Sequence, residues 1–189
     1  LLDYVVNKRV WSRQGNRYPL GAPHSVYRCL GEDRWCAITI FSDDEWEKMC
    51  QVMGRPDLAK DSRFATLSQR KKNEDELDCI VSEWTSKMTA EKVMALLQEV
   101  GIAAGVAQTG RDLLENDAQL AHRQFFQELE HSEIGKHHYE APPFRLSKTP
   151  CDLTMAGPCL GEHNEHVCTK LLGFSDEEYV NLTKDGVLV

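Results

Sequence analysis

The chain has 189 residues, with 22 Lys and Arg against 30 Asp and Glu, and a net charge of −8 at neutral pH. Hydrophobic residues make up 41% and charged residues 28%, which is typical of a globular domain with extensions and excludes a generally disordered chain. The acidic balance argues against nucleic acid as a partner, because phosphate recognition needs a surplus of Lys and Arg, and no apolar run is long enough for a membrane span.

Residues 1–23 are predicted to form a connector. Glycine, asparagine and proline interrupt this stretch, so its backbone is expected to be irregular and open to solvent or ligand. Arg13, Gly15, Asn16, Arg17 and Gly21 place mobile backbone beside two cations in this stretch. Backbone of this kind beside a cation suits a carboxylate or phosphate, although the composition alone favours an ordinary interdomain linker.

Residues 24–122 are predicted to form a small α+β domain. Two runs rich in Val, Ile, Tyr and Trp, at residues 25–30 and 35–40, indicate a β-hairpin. Ser42 and Glu45 form a capping box that begins a helix. The remaining elements are predicted as a helix over residues 73–87, a helix capped by Thr89, a short buried strand over 102–108, and short helices capped by Thr109 and Asp117.

Residues 123–189 are predicted to hold a second hairpin over residues 125–141, followed by a long return loop. This loop, residues 142–161, contains four prolines, and loops of this length are usually functional or lie against another surface. A helix over residues 163–172 and a helix capped by Ser175 end the chain. The whole pattern predicts an α+β fold: a small antiparallel sheet of hairpins with several helices, and an extended C-terminal segment ending in two helices.

Seven cysteines are present, an odd number without a C-x-x-C pair. This usage favours free thiols, mostly buried as small hydrophobic side chains, in a cytoplasmic protein.

The chain begins at Leu1 rather than Met, inside an amphipathic stretch, which suggests a segment of a longer protein.

Known chemical motifs are few. The residues EHNEH at 162–166, with Cys159 and Cys168 nearby, resemble a metal-ligand cluster. They lack the matching distant pair of a zinc site, so no metal is predicted. The sequence contains no nucleophile elbow and no glycine-rich phosphate loop.

An ordered set of short segments resembles one enzyme family. The segments are GNR at 15–17, APHSVYR at 22–28, DRW at 33–35, ITIFSDDEW at 38–46, GRPDL at 54–58, DSRFA at 61–65, WT at 84–85, DAQL at 117–120, PFRLS at 143–147, LGEH at 160–163 and LGFSDEE at 172–178. Together they resemble the class III CoA-transferases, the CaiB/BaiF group that includes formyl-CoA transferase and carnitine CoA-transferase. The likeness extends over essentially the whole chain.

The resemblance implies an enzyme that moves CoA from an acyl-CoA to a free carboxylate. Acyl-CoA and a carboxylic acid would be its substrates, with no bound cofactor, and two subunits would interlock as a homodimer. The family's nucleophilic aspartate and its CoA-binding large domain precede the region matched here. No catalytic residue is therefore predicted in this chain, and the isolated chain is expected to be inactive. Residues 15–22 would correspond to a glycine-rich loop that shields reactive intermediates. The resemblance thus implies a substrate-proximal loop with Gly15, Asn16, Arg17 and Gly21 as its candidate residues, and Arg17 would meet a substrate carboxylate.

Three aspartates have structural explanations that argue against the nucleophile's role. Asp33 lies in a predicted hairpin turn, Asp43 in a helix cap, and Asp61 before Arg63.

Two other functions stay open at this point. One is a relative of the α-methylacyl-CoA racemases, which need an acid and a base rather than a covalent aspartate. The other is a binding or oligomerisation module without catalysis. Separately, the isolated chain is expected to self-associate as a dimer.

Overall fold

The described residues, 1–188 of the computed structural model, divide into two units between Gln108 and Thr109. The three-part domain organisation expected from the sequence stays a prediction. The α+β class is confirmed, because both units combine helices with small antiparallel sheets.

In the first unit a three-stranded sheet is surrounded by helices. The elements follow the order α1 (Leu2–Asn7), β1 (His24–Arg28), β2 (Trp35–Thr39), α2 (Asp43–Val52), a 3₁₀ helix (Pro56–Lys60), α3 (Leu67–Lys72), α4 (Glu74–Thr85), α5 (Ala90–Glu99) and β3 (Ala103–Val106). The strands are antiparallel in the order β1-β2-β3, with Tyr27 opposite Cys36 and Cys36 opposite Val106. The predicted first hairpin is confirmed.

Helix α2 begins where the sequence predicts it. The Ser42 hydroxyl accepts from the Glu45 amide at 3.1 Å, and the Glu45 carboxylate accepts from the Ser42 amide at 3.2 Å. These bonds satisfy backbone donors that the first helical turn leaves unpaired. Trp46, Met49 and Cys50 lie on the buried face of the helix, as their spacing predicts.

The hydrophobic core of the first unit lies between the sheet and helices α2, α4 and α5. Its largest fully buried apolar side chains are Trp46, Phe64, Ile38, Ile40, Met49, Leu58, Leu77, Leu97, Ile102, Val81 and Val93. Each such side chain contributes roughly 1.5–3 kcal/mol to folding when it is fully removed from water. This core holds the elements that support the candidate site.

The predicted helix over residues 73–87 is confirmed as α4, which begins after Asn73. The Asn73 side-chain amide donates to the carbonyls of Gln69 at 3.0 Å and Arg63 at 3.1 Å, at the point where the shorter helix α3 ends. One detail of the first unit differs from the sequence-based expectation. Strand β3 is not fully buried, and Ala103 is exposed. This strand lies at the sheet edge and pairs only with β2, so small side chains there gain less burial than a central strand would.

The second unit contains short elements around a two-stranded sheet. They are α6 (Gly110–Glu115), α7 (Ala118–Arg123), β4 (Phe126–His131), β5 (Gly135–Glu140), a π-helix (His166–Leu171) and α8 (Asp176–Lys184). Strands β4 and β5 form the predicted second hairpin. The caps predicted at Thr109, Asp117 and Ser175 are all present.

The predicted helix over residues 163–172 is helical but largely not an α-helix. From His166 to Leu171 the backbone follows the wider π form, and the Leu172 amide donates to the Val167 carbonyl five residues before it at 2.9 Å. The wider turn alters which side chains share a face. Cys168 is the one hydrophobic residue of the second unit that is buried among those described.

Within residues 1–188, no helix has both the length and the apolar character that crossing a bilayer requires.

Candidate functional site

The connector loop, residues 15–21, folds back on itself before strand β1. Gly15 has a φ of +62°, a left-handed conformation that glycine adopts without a steric penalty. The Arg17 amide donates to the Gln14 carbonyl at 3.3 Å, and the Gly21 amide donates to the Tyr18 carbonyl at 3.3 Å. A Cβ atom at Gly21 would lie 3.2 Å from the Ile40 carbonyl oxygen, so this position also favours glycine.

Arg17 points from this loop to the acidic beginning of helix α4. Its Nη2 pairs with the Asp75 carboxylate and lies 3.4 Å from Asp78 Oδ2, while its Nε lies 3.7 Å from Glu74 Oε2. The hydrogen bond to Asp75 is the main reason that the pKa of Arg17 is raised above its ordinary value. The only cation of the predicted site residues is thus balanced by carboxylates.

A second cation holds the same loop through its backbone. Lys71 Nζ donates to the Tyr18 carbonyl at 3.0 Å and to Glu74 Oε1 at 2.7 Å. The Glu74 side chain is only 8% exposed, so Lys71 supplies the charge that its burial requires. Helices α3 and α4 therefore anchor the connector loop at two points.

Strand β1 extends this polar network into the core. The Tyr27 hydroxyl donates to Asp78 Oδ1 at 2.7 Å, and burial is the main cause of the raised pKa of Tyr27. A tyrosine held protonated in this way is a fixed donor that orients Asp78 toward Arg17.

The other side of the loop rests on aromatic rings. His24 Nδ1 donates to the Asn16 carbonyl at 2.6 Å, and the His24 and Tyr18 ring centroids are 5.4 Å apart. The Phe41 ring lies 6.3 Å from both of these rings. Asn16 thus takes part through its backbone, and no side-chain bond from Asn16 is part of this arrangement.

The loop ends at a buried arginine. Arg70 is fully buried, and its Nε donates to the Ala22 carbonyl at 2.8 Å. The same guanidinium donates to the Phe64 carbonyl at 3.1 Å, to the Ser42 carbonyl at 3.4 Å and to Asp43 Oδ1 at 2.9 Å. The carbon of this guanidinium lies 5.6 Å from the centroid of the Trp46 ring.

The structure brings the four predicted site residues into one loop, and their role toward a substrate stays a prediction. The residues that hold the loop were not predicted from the sequence. They are Lys71, Glu74, Asp75, Asp78 and Tyr27. The spacing of acids at positions 74, 75 and 78 identifies a charged helix face, but a charged helix face is most often simply solvated. Nothing in the sequence links that face to a loop nearly 60 residues earlier.

The three aspartates considered as nucleophiles all accept hydrogen bonds from residues of the first unit. Asp33 has a φ of +49° in the hairpin turn and accepts from Trp35 Nε1 at 2.8 Å. Asp43 accepts from the Leu67 amide at 2.9 Å, in addition to Arg70. Asp61 receives two bonds from the Arg63 guanidinium, at 3.1 Å and 2.6 Å, and these lower the pKa of Asp61 to about 2. Asp33 and Asp61 have the local roles predicted for them, whereas Asp43 lies in the first turn of α2 and its bonds to Leu67 and Arg70 are tertiary contacts.

The residues at 159–168 form no metal centre in the part of the chain that is described. Across residues 1–188, no group of three or more His, Cys, Asp and Glu side chains is placed to hold a metal ion. The Glu162 carboxylate instead accepts from the Cys159 amide at 2.6 Å, which closes a local turn before the π-helix.

Comparison with known proteins gives consistent matches. Residues 1–164 match CoA-transferase family III. Over 172 residues the chain is 37% identical to a probable CoA-transferase of Mycobacterium tuberculosis, covering 90% of this chain and 22% of the relative. Over 186 residues it is 31% identical to the succinyl-CoA–D-citramalate CoA-transferase of Chloroflexus aurantiacus, covering 98% of this chain and 46% of the relative.

A solved structure has the same fold over most of the chain. The crystal structure of a CaiB/BaiF family protein from Brucella suis aligns with a TM-score of 0.77 at 26% identity, covering 90% of this chain and 43% of that one. The chain thus spans less than half the length of these three proteins.

Proposed function

The chain belongs to CoA-transferase family III, and from that premise we propose that it forms the small domain and the C-terminal segment of a CoA-transferase. The enzyme would transfer CoA from an acyl-CoA to a free carboxylic acid. The observation that carries this proposal is the family match over residues 1–164, which includes the connector loop. The Chloroflexus relative is named for succinyl-CoA and D-citramalate, so dicarboxylic acids are the first acceptors to test.

In the proposed mechanism the nucleophile is an aspartate of the large domain, which is not part of this chain. Its carboxylate attacks the thioester carbonyl and releases CoA as a thiolate, which leaves a mixed anhydride. The thiolate then attacks the aspartyl carbonyl, giving an aspartyl thioester and releasing the donor acid. The acceptor carboxylate repeats these two steps in reverse order, so that acyl-CoA forms and the aspartate is regenerated. Covalent catalysis of this kind divides a difficult exchange into easier steps.

The connector loop would lie beside the acyl groups in that enzyme. Arg17 is 41% exposed, and its partner Asp75 is 91% exposed. Ion pairs this exposed contribute only about 0–1 kcal/mol. A substrate carboxylate can therefore replace Asp75 on Arg17 at little cost in ion pairing. The less exposed Glu74 and Asp78 stay beside the guanidinium, and Lys71 continues to hold the loop through Tyr18. This low cost supports a role for Arg17 in substrate binding.

Replacing Arg17 with alanine in the full-length enzyme is expected to raise the KM for the acceptor acid about tenfold, because a charge-assisted bond is worth roughly 1.5–3 kcal/mol. Steady-state kinetics with the acceptor varied measures this. Arg55→Ala is the matched control, because Arg55 pairs only with Asp57 at the surface. If Arg17→Ala leaves every kinetic constant at the wild-type value, Arg17 has no role in substrate binding.

We also propose that the enzyme is a cytoplasmic homodimer. Seven cysteines without a disulfide among the described residues support a reducing compartment. Exposed apolar side chains near the C-terminus, including Leu171 and Leu172, support burial against another surface. Light scattering of the isolated chain is expected to give twice the chain mass, and a monomeric mass at all concentrations would exclude self-association.

The experiment that tests the proposed function is a CoA-exchange assay. Succinyl-CoA is offered with a panel of dicarboxylates, including D-citramalate, to the full-length protein and to this chain in parallel. We expect exchange by the full-length protein only. Exchange by neither would reject the CoA-transferase function. Exchange by this chain alone would mean that one of its own carboxylates is the nucleophile.

A further inference from the structure

Two arginines that have no acidic partner among the described residues line a pocket of the second unit. The pocket has a volume of about 390 Å³ and lies between the end of helix α7 and the loop that follows strand β5. Arg123 and Arg145 contribute its positive charges, and Phe125, Phe144 and Leu146 contribute apolar walls.

The hydrogen bonds of these arginines position their charges without neutralising them. Arg123 Nη2 donates to the Pro143 carbonyl at 2.7 Å, and Arg145 Nη2 donates to the Arg123 carbonyl. Both acceptors are neutral backbone groups. A guanidinium has five N–H donors, so most of them stay available on each side chain.

No carboxylate lies within ion-pair distance of either guanidinium in the described part of the chain, whereas Arg17, Arg63 and Arg70 all have acidic partners. Asp152 also lines the pocket, which leaves a local charge of about +1 when each ionised side chain counts once. A structural role explains only part of this arrangement. Arg123 lies in the last turn of α7 and Arg145 donates to the Arg123 carbonyl, so both cations lie where exposed carbonyls favour positive charge. These neutral carbonyls position the two charges but do not balance them.

The apolar walls restrict the kind of anion that fits. Phe144 is 62% exposed and Leu146 is 52% exposed, so large hydrophobic side chains stand in solvent beside the guanidinium groups. An inorganic ion would leave these side chains uncovered. An organic anion would cover them with its carbon atoms while its oxygens accept from the two arginines.

We propose that this pocket binds an oxyanion carried by an organic ligand. In a CoA-transferase that group is either the carboxylate of an acid substrate or a phosphate of CoA. The choice between these two rests on the proposed function, whereas the oxyanion chemistry rests on the pocket alone.

The test is titration of the 189-residue chain with succinate, with CoA and with inorganic pyrophosphate. NMR of the arginine Nε–Hε groups follows the wild-type protein directly, and calorimetry gives the affinities. The signals of Arg123 and Arg145 are expected to shift with succinate if the source is a carboxylate, or with CoA if it is a phosphate. R123Q and R145Q are each expected to weaken binding about tenfold, the effect of losing a charge-assisted bond. R111Q is the control, because Arg111 pairs with Glu115 on helix α6 and does not line the pocket.

Two results would overturn the proposal. One is the absence of any shift at Arg123 and Arg145 with millimolar succinate or CoA. The other is equal affinity in R123Q, R145Q and R111Q. Shifts with pyrophosphate at the same strength as with CoA would reject the role of the apolar walls. The exchange assay on the full-length protein is independent of these results. If the full-length protein exchanges CoA but the pocket binds neither succinate nor CoA, only the pocket proposal is rejected. If the pocket binds one of them but the full-length protein does not exchange CoA, only the proposed function is rejected.

Discussion

Replacing Arg70 with methionine is expected to lower the free energy of unfolding of the first unit by about 2–6 kcal/mol, because two buried backbone carbonyls lose their hydrogen-bond donor. Methionine has a similar length and can fill much of the same space. It cannot donate a hydrogen bond, so the carbonyls of Ala22 and Phe64 lose a buried donor. Each unsatisfied buried carbonyl costs about 1–3 kcal/mol.

Urea denaturation followed by tryptophan fluorescence measures this loss. Trp11, Trp35, Trp46 and Trp84 all lie in the first unit, so the fluorescence reports on that unit. The control is Arg55→Met, which removes a surface pair with Asp57 and should change the free energy of unfolding far less than the Arg70 variant does. Equal losses in the two variants would mean that the network around Arg70 does not stabilise the unit.

A water-soluble alkylating reagent is expected to modify Cys79 and Cys151 at least about 100-fold faster than Cys36 and Cys50 under native conditions. Cys79 and Cys151 are exposed. Cys36 and Cys50 are fully buried, and burial raises the pKa of both thiols to about 12. At pH 8 their thiolate fraction is then lower by about three orders of magnitude than that of an ordinary cysteine.

Mass spectrometry of peptides taken at successive times measures these rates. In urea all seven cysteines should react at similar rates, because both the burial and the pKa shift are lost on unfolding. Native rates that differ by less than a factor of about three would contradict the burial of Cys36 and Cys50, since the thiolate fraction alone predicts a far larger difference.

Local features of this fold could be predicted from the sequence because their causes lie within a few residues. The capping boxes at Ser42 and Ser175 depend on a glutamate three positions later, and both are present. The two hairpins follow from short β-prone runs separated by turn residues. The face of α2 follows from the spacing of Trp46, Met49 and Cys50.

Features that depend on distant residues could not be predicted. The position of the connector loop follows from its composition, but the carboxylates that balance Arg17 lie 57–61 residues later in the chain. In the sequence Arg70 is one of three consecutive basic residues, and only tertiary packing makes it the buried one. The π-form of residues 166–171 likewise has no residue pattern that separates it from an α-helix.

The contacts of Arg70 also determine which positions need a particular side chain for these hydrogen bonds. Three of its four acceptors are backbone carbonyls, of Ala22, Ser42 and Phe64, and every residue type has a carbonyl. As far as these bonds are concerned, the three positions can accept other amino acids over evolutionary time. Lysine cannot replace Arg70 in these contacts, because it lacks the planar set of N–H donors of a guanidinium group. One side chain therefore connects three separate segments of the chain through bonds that do not depend on the side chains of those segments.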